Sequence, residues 1–175
     1  MKIFLQMSIL AATLQLFGCS TNAQEIKVGD KIPHFTLQDQ DGKQFNIDTV
    51  IGKYPLVIYF YPKDETSGCT KEACTFRDSY DAFHQYGAKV IGISGDDVDS
   101  HQKFAQHHQL NFTLLADPGN KVRKLFGVPK TMLIPGRVTY IVDKNGVVVH
   151  SFNSLTKAEQ HVAESLEALK KMNKG

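Results

Sequence analysis

Two cysteines five residues apart, Cys69 and Cys74, close the run Pro62-Lys63-Asp64-Glu65-Thr66-Ser67-Gly68-Cys69-Thr70-Lys71-Glu72-Ala73-Cys74. A thiol at a helix start meets unpaired backbone N–H groups and the positive end of the helix dipole, and both favour an anion. The thiolate is that anion, so Cys69 reads as an activated nucleophile in preference to a small buried hydrophobe. The spacing to Cys74 adds a constraint. Five steps along an intact helix set the Cα atoms ~8.6 Å apart, whereas a disulfide needs less than about 7 Å. The sulfurs can bond only if the helix loosens, which favours a cycle between folded dithiol and locally unfolded disulfide over a static structural bond. Neither the Cys-x-x-Cys of thiol–disulfide exchange nor the Cys-x-x-x-Cys of copper carriers is present. An envelope thiol–disulfide or copper carrier stands as the alternative function.

Such a helix has to follow a strand that delivers it. Leu56 to Tyr61 is a continuous apolar and aromatic run and reads as a central buried strand. Cys69, Ala73, Phe76, Tyr80 and Phe83 then form one helical stripe, with Gly87 as its stop. Before them, Phe35, Leu37, Phe45 and Ile47 alternate about Gln40-Asp41-Gly42 as a hairpin. After them come strand Val90–Ile93, a helix from Asp96-Asp97 to about His108, strand Phe112–Leu115, and a short helix around Lys121–Phe126. A loop holds Pro129 and Pro135. Val138–Val142 and Val147–His150 are strands joined at Lys144-Asn145-Gly146, and a last helix with Thr156 and Glu159 as a capping box buries Val162, Leu166 and Leu169. The expected fold is α/β, a mixed central sheet flanked by helices, as one domain over residues 25–175.

A chain of 175 residues, 42% hydrophobic and 22% charged, has the composition of an ordinary globular protein. A net charge of +2, spread evenly, argues against a nucleic-acid partner. At the amino terminus, Lys2 and an apolar stretch to Gly18 read as a signal peptide over residues 1–18. Leu16-Phe17-Gly18-Cys19 resembles a lipobox, which would make Cys19 a lipidated first residue and 19–24 a tether; a cut after Ala23 is the competing reading. Either implies export to a bacterial cell envelope, as a periplasmic or outer-membrane lipoprotein that meets the membrane only through its N-terminal anchor.

Pro62, Thr66 and Cys69 reproduce a Pro-x-x-x-Thr-x-x-Cys motif, and Gly136-Arg137-Val138-Thr139-Tyr140 matches a strand segment that delivers an arginine. From Val28 to the final helix the sequence resembles a peroxiredoxin of the bacterioferritin-comigratory, or Q-type, group; Met132 to Pro135 departs from its pattern. The resemblance implies a thioredoxin-like fold with an N-terminal β-hairpin, working as a monomer without metal, haem or other cofactor. It implies reduction of hydrogen peroxide and organic hydroperoxides, with Cys69 peroxidatic and Cys74 resolving. Thr66 would orient the peroxide, Arg137 would supply charge, Pro62 would shield the pocket, and a thioredoxin-like donor would reduce the disulfide. The remaining residues have plainer readings. Glu72, Arg77 and Asp78 either support the site or are exposed helix charges. His101, His107 and His108 read as surface residues, Arg123 as a solvated cation, and Tyr59 and Tyr61 as packing.

Overall fold

The computed structural model describes residues 25–174. The expected signal peptide, Cys19 and tether lie outside the described residues. The chain runs β1 (Thr36–Asp39), β2 (Gln44–Asn46), a 3₁₀ turn (Ile47–Thr49), β3 (Leu56–Phe60), α1 (Ser67–Asp78), α2 (Tyr80–Gln85), β4 (Lys89–Ser94), α3 (Val98–His107) and β5 (Thr113–Ala116). It continues with α4 (Lys121–Leu125), β6 (Lys130–Thr131), β7 (Ile134–Pro135), β8 (Val138–Val142), β9 (Val148–Asn153) and α5 (Ala158–Met172).

Seven strands form one sheet in the order β2-β1-β5-β4-β3-β8-β9. β3, β4 and β5 are parallel, while the β1–β2 hairpin on one side and the β8–β9 hairpin on the other run antiparallel to them. The apolar run of β3 is explained by burial on both faces. Leu56, Ile58 and Phe60 enter a core with Phe126, Tyr140 and Ile47, covered by α4, the 3₁₀ turn and the N-terminal segment. Val57, Tyr59 and Tyr61 enter the opposite core with Cys69, Phe76, Phe83, Phe104 and Val162, which places α1, α2, α3 and α5 on that face. Among the described residues, no helix is long and apolar enough to cross a membrane.

Three local expectations change. The stripe from Cys69 to Phe83 is two helices, parted at Ser79 (φ −95°, ψ 9°). Asp78 and Ser79 are weak helix formers whose side chains compete for backbone groups. The capping box at α5 does not form: Lys157 is the N-cap, and its N–H donates to Ser154 Oγ at 3.3 Å. Here the carbonyls of Ser154 and Leu155 are held by His161 and Arg137, which fixes the chain differently before the helix. The loop after α4 contains a two-stranded ribbon, β6–β7, with Met132 at φ 57° in its turn.

Candidate active site

Strand pairing places the two halves of the site at the same sheet edge. Phe60 of β3 pairs with Val138 of β8, so the loop that leaves β3 through Pro62 lies beside Arg137, which precedes β8. Phe60 also pairs with Ile93 of β4, which brings the Ser94–Asp97 turn to the same end, at the C-terminal tips of the parallel strands. Open α/β sheets form their crevices at these tips.

Thr66 is the N-cap of α1, yet its hydroxyl donates to Lys63 O at 3.0 Å and does not cap the helix. The N–H groups of Ser67, Gly68 and Cys69 precede the first intrahelical bond, Thr70 N–H to Thr66 O at 2.8 Å. Cys69 therefore sits in the first turn, 1% exposed, where backbone donors and the dipole favour negative charge. Arg137 Nη2 lies 3.2 Å from its sulfur, and Nε donates to Leu155 O at 3.1 Å. Nη1 is paired with Glu72, which is fully buried one turn along the same helix. Burial pushes the Glu72 carboxyl up to about 8 against the pull of Arg137. Burial also works against the Arg137 guanidinium, but Glu72 and Cys69 outweigh it and hold the group above its ordinary value. Glu72 thus anchors Arg137 without fully cancelling its charge towards the sulfur. Of the two sequence readings of Glu72, support of the site is the one its burial favours; Asp78 is exposed.

Behind this pair stands a buried histidine. His161 Nε2 lies 2.8 Å from Ser154 O, so that nitrogen carries the proton, and Nδ1, 2.8 Å from Thr139 Oγ1, accepts from the hydroxyl. Burial draws His161 down to about 4, helped by the charge of Arg137 and opposed by the Ser154 carbonyl. The neutral imidazole lies against the buried Glu72, whose Oε1 is 3.6 Å from Nδ1.

Arg123, expected to be solvated, is 2% exposed. It donates to Tyr61 O at 2.6 Å and to Gly136 O at 2.7 Å, joining the residue before Pro62 to the residue before Arg137. Burial pulls its guanidinium down to about 10, which leaves it charged at neutral pH. Gly136 has its own reason to be glycine: a Cβ there would stand 2.2 Å from the Pro129 carbonyl oxygen. Val122 and Phe126 flank Arg123 on an apolar face of α4, the one sequence signal that it faces inward.

The histidines also depart from expectation. His101 is fully buried: Nδ1 is 2.8 Å from Asp64 Oδ2 and Nε2 is 3.2 Å from Leu115 O. Asp64 accepts from Tyr61 Oη at 2.7 Å and from Ser100 Oγ at 2.8 Å. Burial raises its carboxyl, but these partners, His101 foremost, hold it below the ordinary carboxylate range. Asp64 N–H donates to Asp96 Oδ2 at 2.9 Å, so the Pro62–Thr66 loop is tied to both β4 and α3. His107 and His108 meet Glu65 of the same loop. Tyr61 is thus more than packing, while Tyr59 stacks between Tyr61 and Phe76.

Cys74 lies on the same unbroken helix as Cys69, half-buried, and both thiols are free. The structure brings Cys69, Arg137, Thr66 and Pro62 to one sheet edge and leaves Cys74 more than a turn away.

The AhpC/TSA family model matches residues 28–151. The chloroplastic peroxiredoxin Q of Oryza sativa subsp. japonica is 51% identical over 150 residues, covering 85% of this chain and 69% of the relative. That of Arabidopsis thaliana is 53% identical over 148 residues, covering 83% and 68%. Among solved structures, a peroxidoxin of Mycobacterium tuberculosis superposes with a TM-score of 0.80 at 34% identity over 85% of this chain and 99% of that one. A peroxiredoxin Q of Xanthomonas campestris gives 0.74 at 32% over 79% and 91%. The chloroplastic relatives overturn the expected placing in a bacterial envelope. A short apolar run ending in small residues is a compositional signal, with no packing constraint that ties it to one membrane.

Proposed function

Because the chain belongs to the AhpC/TSA family and to its Q-type peroxiredoxin group, and is a thiol-dependent peroxidase of thioredoxin-like fold, we propose that Cys69 is its peroxidatic residue and Cys74 its resolver. The contact of Arg137 Nη2 with a buried Cys69 sulfur in the first turn of α1 carries this reading. The Cys69 thiolate attacks the terminal oxygen of a hydroperoxide. The O–O bond breaks, Cys69 becomes a sulfenic acid, and the leaving oxygen takes a proton to depart as water or an alcohol. Thr66 Oγ1 and the free N–H groups of Ser67 and Gly68 orient the peroxide, and Arg137 stabilises charge moving onto the leaving oxygen. Pro62 and Tyr61 wall the reacting atoms from bulk water.

Cys74 then attacks the sulfenic sulfur, forming the disulfide and releasing water. A thioredoxin-like dithiol restores both thiols and is itself oxidised to a disulfide. The substrates are hydrogen peroxide and small organic hydroperoxides, and residues 25–175 act as one monomeric catalytic domain. The copper-carrier alternative is not favoured: a fixed guanidinium against the sulfur serves an oxyanion and opposes a cation. The test is one equivalent of peroxide added to reduced Cys74→Ser protein with a sulfenic-acid trap. The adduct should appear on the Cys69 peptide; an adduct elsewhere, or none, would reject the assignment.

A further inference from the structure

Three side chains outside the reacting centre converge on the edge of its loop. Glu65 stands immediately before Thr66, held at φ 56°, and its two carboxylate oxygens face different histidines. His107 Nδ1 lies 3.1 Å from Oε1 and His108 Nε2 lies 3.0 Å from Oε2. The potential ligand atoms all lie within 4.8 Å of one another, and among the described residues this is the single such group of three. His34 and His150 each meet one carboxylate and no second imidazole. The histidines adjoin in sequence, yet their rings stack with centroids 4.4 Å apart, because α3 ends at His107 and the chain turns at His108. A helix C-terminus also favours a cation.

We propose that Glu65, His107 and His108 bind a divalent transition ion of the Zn²⁺ class and thereby staple the start of α1 to the end of α3. Two imidazoles and one carboxylate suit zinc and its neighbours and do not suit Mg²⁺ or Ca²⁺, which prefer all-oxygen sets. Ligand atoms at the usual zinc distances stand about 3.3 Å apart in a tetrahedron, so the two Glu65–imidazole gaps open by a few tenths of an ångström and the two imidazole nitrogens, within 4.8 Å, draw together by at most about 1.5 Å. His107 and Glu65 are exposed enough for an ion to enter, and the remaining position is left to water.

The ion would act on movement. Arg77 Nη1 of α1 donates to His108 O at 2.6 Å, so α1 is already joined to the end of α3 near its own C-terminus. A metal at Glu65 adds a second tie at its N-terminus. Disulfide formation needs α1 to loosen between Cys69 and Cys74, and a helix held at both ends loosens less often. This consequence rests on the Cys69–Cys74 assignment; the binding does not.

The binding test uses the full chain carrying Cys19→Ser, Cys69→Ser and Cys74→Ser, so that no thiol competes. Titration calorimetry with Zn²⁺ should give one site, weakened at least tenfold by Glu65→Gln and by His107→Ala, with Mg²⁺ not binding. Imidazole nitrogen NMR should show coordination through Nδ1 of His107 and Nε2 of His108. Equal zinc affinity in parent and variants, equal response to Mg²⁺, or shifts at other histidines would overturn the site. The second test follows disulfide formation after one equivalent of peroxide in the chain with native cysteines. Zinc should slow it several-fold in the parent and not in His107→Ala. Slowing that persists in His107→Ala is thiol capture, and no slowing in either means no staple. Absence of the disulfide in both, with calorimetric binding intact, would fault the resolving assignment and leave the metal site standing.

Discussion

The two ends of α1 carry the same reactive group in opposite surroundings. At the first turn, Cys69 is buried among free backbone donors, Arg137 and Glu72, with His161, Arg123 and Asp64 each fixing a neighbouring segment. Nearer the other end, Cys74 is half-exposed, about one and a half turns from the helix break at Ser79, with Arg77 turned away to Asp78 and His108 O. Cys69 is enclosed by charged and polar partners, whereas Cys74 is only partly covered. On the proposed assignment the contrast follows from what each role requires: a nucleophile needs a preorganised field, a resolver needs a helix that can open.

Exchanging the roles by mutation is the strongest way to break the comparison. Cys69→Ser should reduce peroxide turnover to background, whereas Cys74→Ser should keep the fast first oxidation and lose only efficient recycling. Stopped-flow oxidation of the reduced proteins measures this. Equal loss of the first step in both variants would mean that the two ends of α1 are not specialised.

The field at the first turn comes next. Arg137→Ala should slow the first oxidation roughly 10²–10³-fold, the usual cost of removing one donor that stabilises transition-state charge. Arg123→Ala should slow it less, on the order of tenfold, because its bonds go to the backbone of Tyr61 and Gly136 while Arg137 touches the sulfur. Resolution of sulfenic acid already formed should be nearly unchanged in both. A larger effect from Arg123 than from Arg137 would place the working cation on α4.

These residues also mark what could be read from the chain. Pro62, Thr66, Cys69 and Arg137 sit in short runs whose spacing carries their chemistry, and strands such as Leu56–Phe60 betray themselves by unbroken apolarity. Arg123 and His101 give no such signal. Each becomes structural through a partner far away in sequence, Tyr61 for one and Asp64 for the other, and only sheet pairing brings these together. The break at Ser79 and the lost cap at Thr156 are failures of the same kind: local pattern favoured one outcome, and tertiary bonds to His108 O and Leu155 O accompany another. The apolar run at the amino terminus carries too little information to specify a destination.

Acid should damage the first-turn end before the other. His161 is drawn down to about 4 by burial and by Arg137, below the ordinary histidine value. A base with a depressed folded-state pKa contributes stability that is fully present above its unfolded value near 6.5 and is lost as pH falls through the folded one. The full shift corresponds to about 3 kcal/mol; Glu72, raised to about 8, takes up its proton on folding in the same pH window and works in the opposite direction. Denaturant unfolding between pH 7 and 4 should show the parent losing about 3 kcal/mol relative to His161→Gln, the Glu72 contribution being common to both. A parent and variant that fall together would assign the acid sensitivity elsewhere.

The smallest expected effect bears on the Cys74 end. Thr75, next to Cys74, turns its hydroxyl back to donate to Lys71 O at 2.7 Å, a bond that bends a helix slightly, and threonine is a poorer helix former than alanine. Thr75→Ala should stabilise this turn of α1 by about 0.6 kcal/mol, and Thr75→Gly should weaken it by a few tenths. If the disulfide forms only from an opened helix, that stability enters the opening equilibrium directly. Disulfide formation after a single peroxide turnover should then slow about threefold in the alanine variant and quicken up to about twofold in the glycine variant. The first oxidation should be unchanged in both, because Thr75 lies far from the donors at Ser67 and Gly68. Rapid-quench mass analysis of sulfenic acid and disulfide separates the two steps. Rates that ignore helix propensity would show that Cys74 reaches Cys69 without unwinding α1, and the contrast between its ends would reduce to burial alone.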